Sequence, residues 1–357
     1  MRSLAGDHRH DDPDEPTDLT SGIKLIAEIG ANHGGEPEIA HAMIDVLADQ
    51  GCKYVKFQIY TAEELIADQN RQTSWGPTQS RTSGTVGDLF RSVSLPWESF
   101  PELFAHAREK GMEPFGTPFG LAGLEVLLGL DAKFIKIASS DVEYTPLLEA
   151  CGESGKPVIL SLGKATLANA DDAVSVLENS GCQDLTLLHC IAAYPAPIAE
   201  ANLRNIQLLK LAFPQNQIGF SDHTQDYTAS IVAVALGATM IERHVTSDVN
   251  NDGPDDWFSL PLSKFSEFAT ALNGAKSSLG TTRKRIQASE KQGRLLGTRS
   301  LFAATDISPD TRIEPSHIVA LRPRTGLEIR TADGILGLSV TRFIKKGEPL
   351  NWEMFKH

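Results

Sequence analysis

His223 and His244 are the residues of this chain whose type and placement speak most directly of chemistry. One follows the apolar run QIGFSD (217–222) and the other lies in the next such run, TMIERHV (239–245). If these runs are neighbouring strands, two neutral imidazoles reach one divalent ion, and the coordination positions they leave open suit catalysis. Histidines at such places can equally be structural hydrogen-bonding groups, and residue type alone leaves both readings open. Glu28, late in KLIAEIG (24–30), offers a carboxylate to the ion or its water, or else a partner for a lysine. Lys56 and Lys136 sit inside the runs KYVKFQI (53–59) and KFIKIAS (133–139), where an ammonium group is costly unless paired or bound to an anion. With hydroxyls such as Ser161 and Ser221 they make a candidate phosphate site. The competing use of such a lysine is a Schiff base, which needs only one of depressed pKa.

These residues need a frame that brings them to one place. From residue 24 the chain repeats a short apolar run, a loop and a helical pattern. The remaining strand-like runs cover 112–118, 157–163 and 185–191, and helical periodicity covers 37–50, 97–110, 120–129, 145–154, 168–180, 202–213, 226–236 and 262–279. Runs rich in Ile, Val, Leu and Phe without alternation are those of strands buried on both faces. Eight such units predict a closed (β/α)8 TIM barrel, an α/β fold whose active site lies where the strands end. An open doubly wound sheet is the rival, but no Gly-rich dinucleotide fingerprint follows the first run. In a barrel, Glu28, Lys56, Gln58, Lys136, Ser139, Ser161, His189, Tyr194, Ser221, Asp222, His223, Glu242 and His244 all fall at or near one rim. Packing alone does not explain so many polar groups there.

The other features set bounds. At 357 residues the chain accommodates a barrel of about 250 residues plus a smaller unit. We expect a disordered acidic tail over 1–22 that is not a signal peptide, the barrel over 23–280, a linker over 281–297, and a small β-rich domain over 298–357. The irregular stretch 60–96 reads as a functional loop of the lid kind. A net charge of −13 argues against nucleic acid and against an anionic membrane as partners, though a few lysines can still dominate a cleft. No apolar run reaches 18 residues, so no membrane span is expected. Four cysteines without CxxC spacing predict reduced thiols and a cytoplasmic protein.

The motifs AEIGANHGG (27–35), VKFQ (55–58), TPF (117–119), KIAS (136–139), GKPVILS (155–161), LLHCIAAYP (187–195), GFSDHT (219–224), ERHVT (242–246) and GPD (253–255) resemble, in order, those of the N-acetylneuraminate (sialic acid) synthase family. TRSLFAATDI followed by LRPRTGL resembles the antifreeze-protein-like SAF domain that ends these synthases, so the likeness spans 24–357. It implies condensation of phosphoenolpyruvate with an N-acetylated amino-sugar aldehyde, releasing phosphate. In that scheme His223 and His244 bind manganese or magnesium with Glu28 beside it. Lys56, Lys136, Ser139, Ser161 and Ser221 hold phosphoenolpyruvate. Gln58, Asp141, Tyr194, Asp255 and Arg322 meet the sugar, Arg322 from the other subunit of a homodimer with swapped C-terminal domains. The Schiff-base alternative loses ground, because a two-histidine metal site is superfluous to it.

The sequence departs from the family pattern at four places. Ala192 stands where a polar residue is common, Asp141 where glutamate is common, and Asp256 where histidine often follows GPD. The loop after the fifth run reads SLGKA rather than STGM. Taken as changes on the sugar side and at the phosphate loop, they point to a 2-acetamido or diacetamido-dideoxy sugar rather than plain N-acetylmannosamine. Two other readings stand beside this one: a binding or assembly protein on a synthase scaffold, and a metal-dependent aldolase that does not use phosphoenolpyruvate.

Overall fold

The structure is a computed structural model and describes residues 22–75 and 82–356. Apart from Gly22, the acidic tail lies outside the described residues. The chain divides at Gly280/Thr281 into two compact units.

In the first unit, strands β1 (Lys24–Glu28), β2 (Tyr54–Ile59), β3 (Glu113–Pro118) and β4 (Ile135–Ile137) pair in parallel in that order. They continue through β5 (Val158–Ser161), β6 (Leu185–Cys190), β7 (Gln217–Asp222) and β8 (Met240–Thr246). The ring closes where β8 pairs with β1, from Lys24↔Met240 to Glu28↔His244. This is a (β/α)8 barrel. The layer outside it is built from α1 (Pro37–Asp49), α2 (Phe100–Glu109), α3 (Leu121–Gly129) and α4 (Thr145–Glu153). It is completed by α5 (Leu167–Asn179), α6 (Asn205–Ala212), α7 (Thr228–Ala235) and α8 (Phe265–Leu279).

The sequence explains why these segments choose their states. Every residue of β6 and β8 is buried, inward side chains by the barrel interior and outward ones by the helices. Helix α1 buries Ala40, Met43, Ile44 and Leu47, the i, i+3, i+4, i+7 stripe of a helix lying on a sheet. Helix α5 repeats that spacing with Ala170, Ala173, Val174 and Leu177 and starts at a capping box between Thr166 and Asn169.

Two expectations need correction, and one short strand is new. The stretch 60–96 is not irregular: its described residues form short helices at Ala62–Leu65 and Val86–Ser92 and an antiparallel pair of strands, Gln72–Trp75 with Thr82–Thr85. A two-residue strand, Leu260–Pro261, adds to β8 beyond the ring, with Val245 opposite Leu260. The stretch read as a linker contains a helix, Lys291–Gly297, and belongs to the second unit. That unit also contains antiparallel strands Ser300–Ala303 and Ile318–Leu321 around its own core of Leu301, Ile313, Ile344 and Leu350. Among the described residues no helix is long and apolar enough to cross a membrane.

Candidate active site

Strand alternation decides what faces the barrel axis. On β8, Glu242 and His244 share one face and Arg243 takes the other. At the C-terminal ends of the strands lies a cleft of about 120 Å3, and both Glu242 and His244 line it. Arg243 is fully buried on the outer side, 3.0 Å from Asp222 and hydrogen-bonded to backbone carbonyls of the loops after β7 and β8. Asp222 therefore turns away from the cleft, although its place in the chain suggested a rim residue. Its carboxylate accepts from Thr224 and Ser230 and fixes the backbone that carries His223.

The floor of the cleft is a buried network of charges. Lys56 Nζ lies 2.7 Å from Glu28 and 3.8 Å from Glu242, and donates to Thr117 Oγ1 at 2.9 Å. Lys136 Nζ lies 4.0 Å from Glu242 and donates to the Ile137 carbonyl. Burial works against the charge of Lys56, but Glu242 and Glu28 outweigh it and hold the ammonium above its ordinary value. Burial pulls Lys136 below its ordinary value, and Glu242 only partly opposes this. Glu28 is lifted by burial against the pull of Lys56. Glu242 resists burial, held low by Lys136, Lys56 and the hydroxyl of Ser221, which donates at 2.9 Å. Two carboxylates thus stand among two lysines: Glu28 Oε2 meets Lys56 closely, whereas Glu242 Oε2, 3.8 and 4.0 Å from the two ammonium groups, has no hydrogen-bond partner.

Above this floor the rings of His223 and His244 lie 5.4 Å apart at 59°. His223 Nδ1 donates to the Ile191 carbonyl at 3.0 Å, so the neutral ring presents its lone pair at Nε2. Burial works against the ring's charge, but the Cys190 sulfur outweighs this and lifts the imidazole above its ordinary value, so a metal ion would displace a proton there. Burial, reinforced by the charges of His223 and Lys56, holds His244 well below its ordinary value, so it is neutral, the form that ligates metal. Its Nδ1 is buried without a hydrogen-bond partner and lies 3.4 Å from Asp255 Oδ2. Burial pushes the Asp255 carboxyl up to about 7. An orphaned imidazole nitrogen beside a free Nε2 fits a divalent ion. Among the described residues no group of three or more His, Cys, Asp or Glu side chains forms a metal cage, so water or substrate oxygens would complete the shell. Gly30 approaches closely here: its φ is +56°, and a methyl group on it would stand 3.1 Å from His244 Nδ1 and 3.2 Å from Glu28 Oε1.

A sequence model of the NeuB family matches residues 43–284, and one of the SAF domain matches 298–356. The chain belongs to the NeuB family. It is 32% identical over 326 residues to the N,N'-diacetyllegionaminic acid synthase of Campylobacter jejuni, covering 91% of this chain and 97% of that one. It is also 32% identical over 328 residues to the pseudaminic acid synthase of Helicobacter pylori, covering 92% and 96%. Among solved structures, the N-acetylneuraminic acid synthetase of Leptospira borgpetersenii superposes with a TM-score of 0.69 at 32% identity, covering 76% of this chain and 90% of that one. This NeuB-family chain is thus an enzyme of the acid-synthase type, a barrel followed by a SAF domain.

The cleft gathers Glu28, Lys56, Gln58, Lys136, Ser139, Ser161, Tyr194, Ser221, His223 and His244. Two of these are less free than the sequence suggests, since Gln58 donates to Glu28 and Ser221 to Glu242. Asp255 reaches the site through His244, and Asp141 does not line the cleft: it is buried and accepts from the Ser140 hydroxyl at 3.0 Å. Asp256 is also buried and turned away, its carboxylate bonded to Thr246, so that departure from the family pattern braces a loop rather than meeting a substrate. His189 serves structure, bonded to the Ala201 carbonyl. Arg322 lies in the second unit. Sequence reasoning did not give Glu242 or Thr117 a role. The sequence set Glu242 at the rim of the eighth run, but its position between two lysines appears only once the ring closes.

Proposed function

We propose that this NeuB-family enzyme condenses phosphoenolpyruvate with an N-acetylated amino-sugar aldehyde to a nonulosonic acid. The observation that supports it best is the buried quartet Lys56, Lys136, Glu28 and Glu242 beneath two ligand-ready imidazoles in one cleft. Lys56, Lys136 and the hydroxyls of Ser139 and Ser161 hold the phosphate and carboxylate, preorganised in a site that excludes most water. Gln58, Tyr194 and Asp255 orient the sugar. Carbon 3 of phosphoenolpyruvate forms a bond to the aldehyde carbon, whose oxygen takes up a proton. Water adds to carbon 2, loses a proton, and phosphate leaves with its bridging oxygen. Glu28 and Glu242 stabilise the positive charge at carbon 2 and accept the proton from water. A manganese or magnesium ion belongs to this reading; His223 and His244 would hold it, and it supplies Lewis-acid polarisation of the aldehyde. The reading also includes a cytoplasmic homodimer whose swapped SAF domain brings Arg322 to the partner's sugar site.

We propose further that the acceptor is an acetamido-dideoxy hexose, in keeping with the relatives named for legionaminic and pseudaminic acids. Phosphate release from phosphoenolpyruvate with manganese and a panel of mono- and diacetamido hexoses tests both proposals. Release should require a sugar and fall at least a thousandfold in His223→Ala and His244→Ala, whose metal content also falls. No release with any sugar from metal-loaded protein would reject the condensation. A strong preference for N-acetylmannosamine would reject the acceptor assignment alone.

A further inference from the structure

Two departures from the family pattern, Ala192 and Lys164, meet in space at Gly163. A methyl group placed on Gly163 would lie 3.0 Å from Ala192 Cβ and 2.8 Å from Ser139 Oγ, and Lys164 is the next residue. The Gly163 amide donates to Ser139 Oγ at 2.9 Å, and the hydroxyl's own hydrogen is shared between the Cys190 sulfur and any acceptor that enters the cleft. Ser161, two residues earlier, is 3% exposed, and its hydroxyl has no hydrogen-bond partner. Lys136, Ser139, Ser161 and Lys164 line the same cleft, and Ala192 contributes only a methyl group among them.

Lys164 is locally disfavoured on two counts. Its φ of +60° lies in the left-handed region, which costs a residue with a Cβ. It stands two residues before Thr166, the N-cap of the 13-residue helix α5, where the helix dipole repels a cation. Its side chain is exposed at the mouth of the cleft, no carboxylate among the described residues lies within 4.0 Å of its ammonium group, and Asp141 feels its charge. A buried unpartnered hydroxyl, a second hydroxyl lining the same cleft, the N-terminus of α5 and two lysines together want an acceptor-rich anion.

We propose that Lys164 is a binding residue for the phosphate group of phosphoenolpyruvate and supplies the polar contact that Ala192 cannot make. The inference rests on the proposed condensation, since it names the ligand. A charged hydrogen bond takes the place of a neutral one, and affinity for the dianionic phosphate becomes sensitive to ionic strength.

Calorimetric titration of the full chain with phosphoenolpyruvate tests this without turnover, using wild type, Lys164→Met and Lys164→Met/Ala192→Asn. Methionine bears the same backbone strain as lysine at an exposed site, so the substitution removes the charge and leaves the fold. We expect Lys164→Met to weaken phosphoenolpyruvate about tenfold at low salt. The loss should shrink as salt is raised, and Ala192→Asn should recover most of it. In turnover, the KM for phosphoenolpyruvate should rise while the KM for the sugar stays put. Unchanged affinity in Lys164→Met overturns the inference, and a rise confined to the sugar KM assigns the lysine to the acceptor instead. Wild type that binds no phosphoenolpyruvate at all removes the underlying condensation, a result distinct from either.

Discussion

Replacing Arg243 by methionine should damage both stability and catalysis, though the side chain never enters the cleft. Its guanidinium is 2% exposed and 3.0 Å from Asp222, and it donates to the carbonyls of Asp226 and Gln225 at 3.1 Å and of Phe258 at 3.4 Å. One side chain therefore ties the loop that begins at His223 to the turn that follows Asp255. Methionine preserves much of the volume but leaves Asp222 as a buried carboxylate without its cation. Breaking one partner of a buried pair costs about 3–5 kcal/mol, because the surviving charge is stranded. For a unit of this size about 1 kcal/mol moves Tm by roughly 2–4 °C, so a fall of about 10 °C is expected. Urea unfolding and thermal melts of Arg243→Met, Asp222→Asn and the double variant separate the causes. If the stranded charge dominates, the double variant is more stable than Arg243→Met alone. Turnover should fall in all three as His223 and Asp255 lose their bracing. A Tm within 2 °C of wild type together with unchanged turnover would refute the argument.

Two further outcomes follow from the β1 end of the cleft. His33 is buried, and burial holds its imidazole down at about 4 against an ordinary value of 6.5, while its Nδ1 accepts from the Gly35 amide at 3.0 Å. The unfolded chain takes up that proton first, so stability present above pH 6.5 is lost as pH falls toward 4, by up to about 3 kcal/mol. Urea unfolding at pH 7 and pH 4.5 should show His33→Gln closing its gap to wild type in acid, and a gap independent of pH would count against it. Gly30→Ala should cut turnover at least tenfold and lower Tm by a few degrees, since it adds left-handed strain of about 1 kcal/mol and crowds His244 and Glu28. Normal kcat and normal manganese affinity in that variant would contradict the packing described at the site.

The barrel was legible because its strands are buried on both faces and read as uninterrupted apolar runs, while α1 and α5 carry clean four-residue stripes. Their limits differ from expectation where a rim residue starts a turn: β4 stops at Ile137 because Ser139–Asp141 already forms a tight 3-10 turn. The hairpin at Gln72–Trp75 and Thr82–Thr85 was not legible, since QTSW and TSGT contain almost no apolar side chain to alternate. Leu260–Pro261 is too short to carry a pattern. Two glycines in KQGRLLG hid the helix of the second unit. At the site, residue type and position located the lysines, histidines and Glu28. Direction was the harder matter. Asp222 and Asp256 looked like cleft residues and are braces behind it, because partners distant in sequence, Arg243 for one and Thr246 for the other, claim their carboxylates.

All four cysteines belong to the barrel unit, and none lies beyond residue 190. Cys52 and Cys151 are buried and their thiols are pushed up to about 12, so in the folded barrel they are neither exposed nor ionised. A thiol in that state reacts only when the structure around it opens, and its labelling rate reports an opening equilibrium rather than intrinsic nucleophilicity. Cys52 sits between α1 and β2 and Cys151 within α4, so the two sample opening on different sides of the ring, while Cys190 reports from the cleft. The SAF unit contains no thiol and stays silent. The native sequence thus carries its own site-resolved clock for barrel opening, blind to whatever the C-terminal unit does.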